Sequence, residues 1–144
     1  MSRPALAVLA VVLHGDQVLL VRRRNPPDAG LWGYPGGHVE AGETALAAAA
    51  RELAEETSVR ADPLEHLANL DTILRDADGR LEHHFFLVAV LCRYRGGTPQ
   101  AGDDATHAAW VPVAQVLSGA LPMSRDVDRV LRRALESPQE PGRL

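Results

Sequence analysis

Cysteine, aromatic residues and long apolar runs are all scarce in this chain of 144 residues. Its single cysteine, Cys92, cannot form a disulfide within the chain, and the apolar stretch around it favours a buried structural role. Aromatic residues make up 4% of the chain, so few rings are present to stack on a base. The apolar run at 5–13 is too short to span a bilayer. With the turn and second apolar run that follow, it predicts two buried strands rather than a signal peptide.

Charge and length describe a small globular domain. The formal net charge is −4, and no block of like charge marks an interaction tail, so nothing indicates general affinity for nucleic acid. A chain of this length suits one domain with a sizeable core. We therefore expect a single cytoplasmic domain at 1–137 that binds neither nucleic acid nor a membrane, followed by a frayed tail at 138–144.

Apolar periodicity and turn residues predict strands alternating with helices, which is typical of an α/β fold. Strands are expected at 6–13, 17–23, 31–35, 66–75, 82–94 and 107–111. Helices are expected at 45–57, 113–118 and 124–136. Apolar residues recur at helical spacing in the last helix, so we expect it to cover one face of a sheet.

The predicted helix at 45–57 carries the most informative cluster of charge. Glu52, Glu55 and Glu56 stand at i, i+3 and i+4, which places three carboxylates within about 100° of arc. Such a stripe can be an ordinary solvated helix face. Carboxylate oxygens at this density also suit Mg²⁺ or Mn²⁺, which bind a few carboxylates together with waters and phosphate oxygens.

The segment at 37–59 resembles the signature of the Nudix hydrolases, G-x5-E-x7-R-E-U-x-E-E-x-G-U, where U is aliphatic. The matching residues are Gly37, Glu43, Arg51, Glu52, Leu53, Glu55, Glu56 and Val59. Ser58 departs from the signature, which has a glycine suited to a left-handed helix end at that position. The segments at 31–37 and 110–112 are also similar to the family. The resemblance therefore covers most of the chain and implies an α/β/α sandwich with a mixed sheet.

The resemblance implies a metal-dependent hydrolase of phosphoanhydride bonds that uses Mg²⁺, or alternatively Mn²⁺. The implied metal ligands are the Gly37 carbonyl and the side chains of Glu52, Glu55 and Glu56. The implied catalytic residues are Glu52, Glu55, Arg51 and Glu43. Of these, Glu52 is the leading candidate to deprotonate the attacking water. Glu43 and Arg51 would pair and brace the loop against the helix.

Further candidate site residues lie outside the signature segment at 37–59, which we call the Nudix box. Those expected to contact substrate are Arg22, Trp32, Tyr34, His84 and Asp104. Neighbours in a strand point to opposite faces, so at most one of each adjacent pair at 22–24 and 83–84 can face a given cleft. The general base could also come from a loop outside the box, the alternatives being Glu82, Asp103 and Asp104.

The substrate suggested by the resemblance is a nucleoside diphosphate linked to another group, with ADP-ribose first. The box, together with 83–86 and 97–104, is similar to small bacterial members grouped with ADP-ribose pyrophosphatases. Against this, Arg75 and Asp76 stand where one ADP-ribose subgroup has a proline. Two alternatives stay open: a (deoxy)nucleoside triphosphate pyrophosphohydrolase, and a Nudix domain that senses nucleotides without catalysis. A homodimer that shares the pocket also stays open.

Overall fold

The computed structural model describes residues 3–138, so most of the predicted tail lies outside the described residues. The strands are β1 (Ala5–His14), β2 (Gln17–Arg23), β3 (Trp32–Gly33), β4 (Gly36–His38), β5 (Arg60–Arg75), β6 (Leu81–Gly96) and β7 (Ala105–Pro112). The helices are α1 (Ala45–Thr57), α2 (Val113–Leu117) and α3 (Val127–Glu136).

The strands form one mixed sheet with β1 near its centre. The main strand order is β3-β2-β1-β6-β5, while β4 pairs with β1 and β7 pairs with β2. The β1–β6 pairing is parallel and runs from Ala5 opposite Phe85 to Leu13 opposite Arg93, whereas the other pairings are antiparallel. The short strand β4 therefore holds the start of the box against the central strand.

Both faces of the sheet are covered by helices, because the side chains of β1 alternate between two apolar clusters. Val8, Ala10 and Val12 pack in the cluster that includes Leu53 of α1. The intervening β1 residues pack in the other cluster, with apolar residues of α2 and α3. This arrangement confirms the predicted α/β/α sandwich with a mixed sheet.

The structure differs most from the predicted elements at β4, β5 and α3. Strand β4 was missed because two glycines and a histidine show no apolar pattern, and it is held by backbone pairing with β1. Strand β5 begins at Arg60 rather than at 66. Its first part contains Pro63, which is tolerated where the register shifts on this edge strand. Helix α3 begins at Val127 rather than at 124, because Asp126 adopts a left-handed conformation with φ 68°.

Cys92 is completely buried on β6, as its apolar surroundings predicted. Its thiol contacts the Val90 carbonyl oxygen at 3.6 Å. Within residues 3–138, no helix combines the length and apolar character needed to cross a membrane.

Candidate active site

Helix α1 is defined at both ends by local interactions. At its start, the Thr44 hydroxyl accepts a hydrogen bond from the Ala47 N–H at 3.1 Å. At its end, Ser58 adopts a left-handed conformation with φ 65°, and its N–H donates to the Ala54 carbonyl oxygen at 3.0 Å. Ser58 thus keeps the backbone conformation that suits glycine, at a cost of about 1 kcal/mol. The departure from the signature leaves the acidic residues of α1 on a regular helix.

Arg51 forms the predicted pair with Glu43. Its Nε and Nη2 atoms donate to the two Glu43 carboxylate oxygens at 2.7 and 2.9 Å, which is the bidentate geometry of a rigid brace. Nη2 also donates to the His38 carbonyl oxygen at 3.0 Å. Nη1 reaches Glu52 at 3.1 Å and Glu55 at 3.3 Å. One guanidinium group therefore joins the loop to two acids of the helix.

Replacement of Arg51 by alanine should release Glu43. The Arg51 guanidinium, helped by the Glu40 N–H, lowers the pKa of Glu43 from 4.5 to about 2. Since this folded-state pKa is depressed, the brace stabilises the protein above pH 4.5 and is lost as the pH falls toward 2. In the Arg51→Ala protein we expect the Glu43 pKa, measured by NMR titration of its carboxyl carbon, to rise toward 4.5.

A matched control for this titration is Arg95→Ala, which removes an exposed ion pair with Asp62. The control should leave the Glu43 pKa near 2, because Arg95 takes no part in the brace. A Glu43 pKa that stays near 2 in the Arg51→Ala protein would show that the arginine is not what depresses it.

Gly36 and Gly37 lie directly against acids of α1. A Cβ atom on Gly37 would overlap the Glu52 carboxylate, so only glycine leaves room for that side chain. The neighbouring Gly36 N–H donates to Glu56 Oε2 at 3.1 Å. The backbone of β4 therefore positions two of the predicted metal-binding carboxylates.

Glu56 is a half-buried acid in an acidic environment. Burial, together with the negative charges of Asp104 and Glu52, raises the pKa of Glu56 to about 7. The Gly36 N–H and the positive charge of Arg23 act in the opposite direction. A carboxyl group held in this way binds either a proton or a cation favourably.

The acids fit a divalent cation by their chemistry, although they do not form a closed cluster. Among residues 3–138, no group of three His, Cys, Asp or Glu side chains is arranged as a ready metal site. Glu52 and Glu55 are instead hydrogen-bonded to Arg51. Carboxylate oxygens are the donors that Mg²⁺ and Mn²⁺ prefer, and burial together with the nearby charges of Asp104 and Glu52 raises the pKa of Glu56. The donor set therefore suits such an ion.

Adjacent arginines at the end of β2 face different surroundings. Arg22 lies between Trp32 on β3 and His107 on β7, and its Nε donates to the Gly30 carbonyl oxygen at 3.1 Å. Arg23 is the residue whose charge acts on Glu56. The expected substrate contact Arg22 is thus on the Trp32 side, and the arginine beside the acids is its neighbour. Strand alternation indicated that the two would separate but not which one would face the box.

The aromatic candidates are placed differently from one another. Trp32 is half-buried, and its ring lies 6.1 Å from that of the exposed His107. Tyr34 is only 7% exposed, and its hydroxyl donates to the Val127 carbonyl oxygen at 2.5 Å. The Tyr34 ring is therefore part of the core rather than a surface on which a base can stack. His84 lies opposite Ile73 on the β5–β6 ribbon.

The segment at 97–104 is the loop between β6 and β7, and it docks on the end of α1, a contact that the sequence did not predict. The Gly102 N–H donates to the Glu56 carbonyl oxygen at 2.7 Å, and the Gln100 N–H donates to the Thr57 carbonyl oxygen at 2.8 Å. A Cβ atom on Gly102 would lie 2.9 Å from the Glu56 carbonyl oxygen. This close docking on the end of α1 leads directly to Asp104. Glycines at 96, 97 and 102 were the available signal.

The three candidate bases outside the box are all exposed. Asp103 precedes Asp104 in the same segment, and Glu82 stands near the β5–β6 turn. Of the three candidates outside the box, Asp104 is the one whose charge acts on Glu56.

Several known proteins are similar to this chain in sequence. An ADP-ribose pyrophosphatase of Methanocaldococcus jannaschii is 36% identical over 105 residues, which cover 73% of this chain and 60% of that protein. The chain thus spans about three fifths of the length of that relative. A Mycobacterium tuberculosis protein described as 8-oxo-dGTP diphosphatase 2 is 38% identical over 112 residues, covering 77% and 75% of the two chains.

A solved structure and a family model are similar to most of the chain. The NUDIX domain of Shewanella oneidensis NrtR, crystallised with ADP ribose, superposes with a TM-score of 0.76 at 30% identity, covering 94% of this chain and 89% of the other. The family model described as NUDIX domain matches residues 3–134. The chain therefore belongs to the Nudix hydrolase family.

Proposed function

We propose that this protein is a divalent-metal-dependent pyrophosphohydrolase of nucleoside diphosphates linked to another group, with ADP-ribose as the favoured substrate. The products would be a nucleoside monophosphate and a phosphorylated second product. The observation that carries the proposal is the half-buried Glu56 carboxyl, held by the Gly36 N–H beside the charges of Glu52, Asp104 and Arg23. This combination of acids and a cation suits a substrate that brings both a metal ion and phosphate groups.

The metal ion would be held by Glu52, Glu55, Glu56 and the Gly37 carbonyl. When bound, it supplies charge neutralisation at the phosphates and a more acidic water. Arg51 keeps Glu52 and Glu55 in defined positions through its hydrogen bonds. Glu52 is the leading group to take the proton of the attacking water, and Asp104 is the candidate outside the box.

Arg23 is the best-placed residue to orient the substrate phosphates. Its charge acts on Glu56, and its Nε is fixed by the Pro27 carbonyl oxygen at 2.9 Å, which leaves the other guanidinium nitrogens to donate. Arg22 and Trp32, on the other side of β2, are placed to contact a more distant part of the substrate. We include Asp104 among the substrate contacts because it follows the docked segment at 97–102.

ADP-ribose is favoured by two of the comparisons. The Methanocaldococcus relative is named an ADP-ribose pyrophosphatase, and the Shewanella domain was crystallised with ADP ribose. The second candidate function is pyrophosphohydrolysis of (deoxy)nucleoside triphosphates. It is favoured by the similarity to the Mycobacterium protein described as an 8-oxo-dGTP diphosphatase.

A hydrolysis panel with product analysis tests these functions. Purified protein with Mg²⁺ would be given ADP-ribose, other nucleoside diphosphate sugars and (deoxy)nucleoside triphosphates. Formation of AMP and ribose phosphate from ADP-ribose, lost in Glu52→Gln and kept in the exposed control Asp78→Asn, is the expected result. Preferential release of pyrophosphate from triphosphates would favour the second candidate. Tight nucleotide binding without turnover would replace both with a sensing role.

A further inference from the structure

An open cleft of about 700 Å³ lies between β5 and α3. It is on the sheet face that packs against α3, whereas the box helix α1 packs on the other face. Strand residues at 66–69 form one wall, and helix residues between 129 and 136 form the other. Sites for small molecules commonly occupy about 300 to 1,000 Å³, so a ligand of nucleotide size would fit. None of the lining residues belongs to the Nudix box or to the segment at 97–104.

One wall of the cleft carries a concentration of positive charge. Arg129, Arg132 and Arg133 stand at i, i+3 and i+4 on α3, so their side chains share one stripe of the helix. Like charges at this spacing repel one another. The whole chain has a net charge of −4, so this stripe is a local concentration of positive charge on a chain that is negative overall. A bound anion would relieve the repulsion.

The three guanidinium groups differ in how far the protein already uses them. Arg133 Nε donates to the Leu67 carbonyl oxygen at 3.2 Å, which ties this side chain to β5. Arg129 is 64% exposed and makes a long ion pair of 3.7 Å with Asp126. Arg132 is exposed, and its side chain has no hydrogen bond or ion pair with any residue between 3 and 138. Arg129 and Arg132 therefore retain donors for a ligand.

The facing wall is an irregular part of an edge strand. The β5–β6 register shifts between His66 and Ala68, so Leu67 is an extra residue on β5. His66 and Asn69, on either side of this bulge, are exposed and carry side chains that can hydrogen-bond. Bulges of this kind are frequent beside binding sites, where they redirect side chains.

We propose that this cleft binds a small molecule through one phosphate or diphosphate group. Arg129 and Arg132 hold the phosphate oxygens with their paired N–H donors, a geometry that guanidinium groups adopt with phosphate. His66 and Asn69 contact the remainder of the ligand from β5. Glu136 also lines the cleft and adds a negative charge, which disfavours an extended polyanion. This second site is independent of the proposed hydrolase activity.

Calorimetric titration of the full chain in EDTA, at physiological ionic strength, tests the proposal. The probes are inorganic phosphate, pyrophosphate, AMP and ribose 5-phosphate, and the strongest binder identifies the source of the phosphate group. We expect submillimolar binding of at least one probe. Arg132→Ala and Arg129→Ala should each weaken it by about tenfold or more, because each removes a charged hydrogen-bond donor. Both side chains are exposed, so these variants should fold.

Two further variants make the titration decisive. Arg80→Ala removes an exposed arginine beside the β5–β6 turn and should leave binding unchanged. Glu56→Gln alters the Nudix site and should also leave it unchanged, which separates this site from the proposed active site. The proposal is overturned by any of three results: no binding of the four probes, equal weakening by Arg80→Ala, or binding that depends on Glu56 and not on Arg132.

Discussion

At pH 8, the Glu56→Gln protein should be more stable than the unmodified protein in metal-free buffer, yet it should hydrolyse substrate far more slowly when Mg²⁺ is supplied. Burial and two neighbouring acids raise the pKa of Glu56 to about 7 in the folded state, above its ordinary value of 4.5. The folded protein therefore binds the Glu56 proton more tightly than the unfolded chain does. The stability from this proton is complete below pH 4.5 and is lost as the pH rises through 7.

Glutamine removes the cost of ionising this carboxyl group. At pH 8 we expect the free energy of unfolding in EDTA to be on the order of 1–3 kcal/mol higher in Glu56→Gln, and the difference should vanish at pH 4. Added Mg²⁺ should reverse the order, because an ion that binds only the folded state stabilises it. Turnover should fall by about 10²- to 10⁴-fold, the range for loss of a group central to catalysis.

Urea unfolding at pH 4 and pH 8, in EDTA and in Mg²⁺, measures these changes. The matched control is Glu55→Gln. The Glu55 side chain is 59% exposed, so removing its charge should give no comparable gain in stability in EDTA. Equal stability of Glu56→Gln and the unmodified protein at pH 8 in EDTA would mean that Glu56 ionises without penalty. The site would then not be electrostatically prepared for a cation.

Alanine at Gly36 should mainly lower the stability of the protein, whereas alanine at Gly37 should mainly lower its activity. A Cβ atom on Gly36 would overlap the Val8 carbonyl oxygen, which is backbone of the central strand and cannot move cheaply. Gly36→Ala should therefore destabilise the fold by about 3 kcal/mol or more. The atoms nearest to a Cβ atom on Gly37 are those of the Glu52 carboxylate, at the flexible end of that side chain. Gly37→Ala should fold nearly normally, because Glu52 can turn away.

The expected loss in Gly37→Ala is in catalysis, since displacement of a catalytic group by about 1 Å can cost about 10²-fold in rate. Thermal unfolding and steady-state kinetics on the two proteins, measured side by side, separate the two effects. If Gly37→Ala kept full activity, the position of Glu52 against Gly37 would have no catalytic importance. If Gly36→Ala kept full stability, the packing of β4 on β1 would have room for a side chain at position 36.

The parts of the molecule that the sequence predicted are those specified by local pattern. The predicted helix at 45–57 has the bounds of α1, because Thr44 caps its start and apolar residues recur at helical spacing after it. The Glu43–Arg51 pair was also predictable, since the family signature fixes both residue types and their spacing. Alternation of apolar residues was enough to place β1 and β2 to within one residue.

The remainder depends on contacts between distant segments. Strand β4 exists because its backbone pairs with β1, and that pairing leaves no apolar pattern in a glycine-rich stretch. Tyr34 is oriented into the core by α3, because its hydroxyl donates a hydrogen bond to the carbonyl oxygen of Val127, the first residue of that helix. The choice of Arg23 over Arg22 beside the acids depends on where α1 packs. The docking of 97–102 on α1 depends on hydrogen bonds between main-chain atoms, whose partners the glycines of this segment do not specify.

The parallel pairing of β1 with β6 has a consequence for the order in which the protein assembles during synthesis. Ala5 pairs with Phe85 and Leu13 with Arg93, so each contact joins positions 80 residues apart. The first strand must wait on the ribosome, with the N–H and C=O groups of one edge unpaired, until β6 emerges. Contacts so distant in sequence slow folding and expose unpaired edges to other chains. Expression temperature and chaperone supply should therefore influence the yield of this protein more than its modest size suggests.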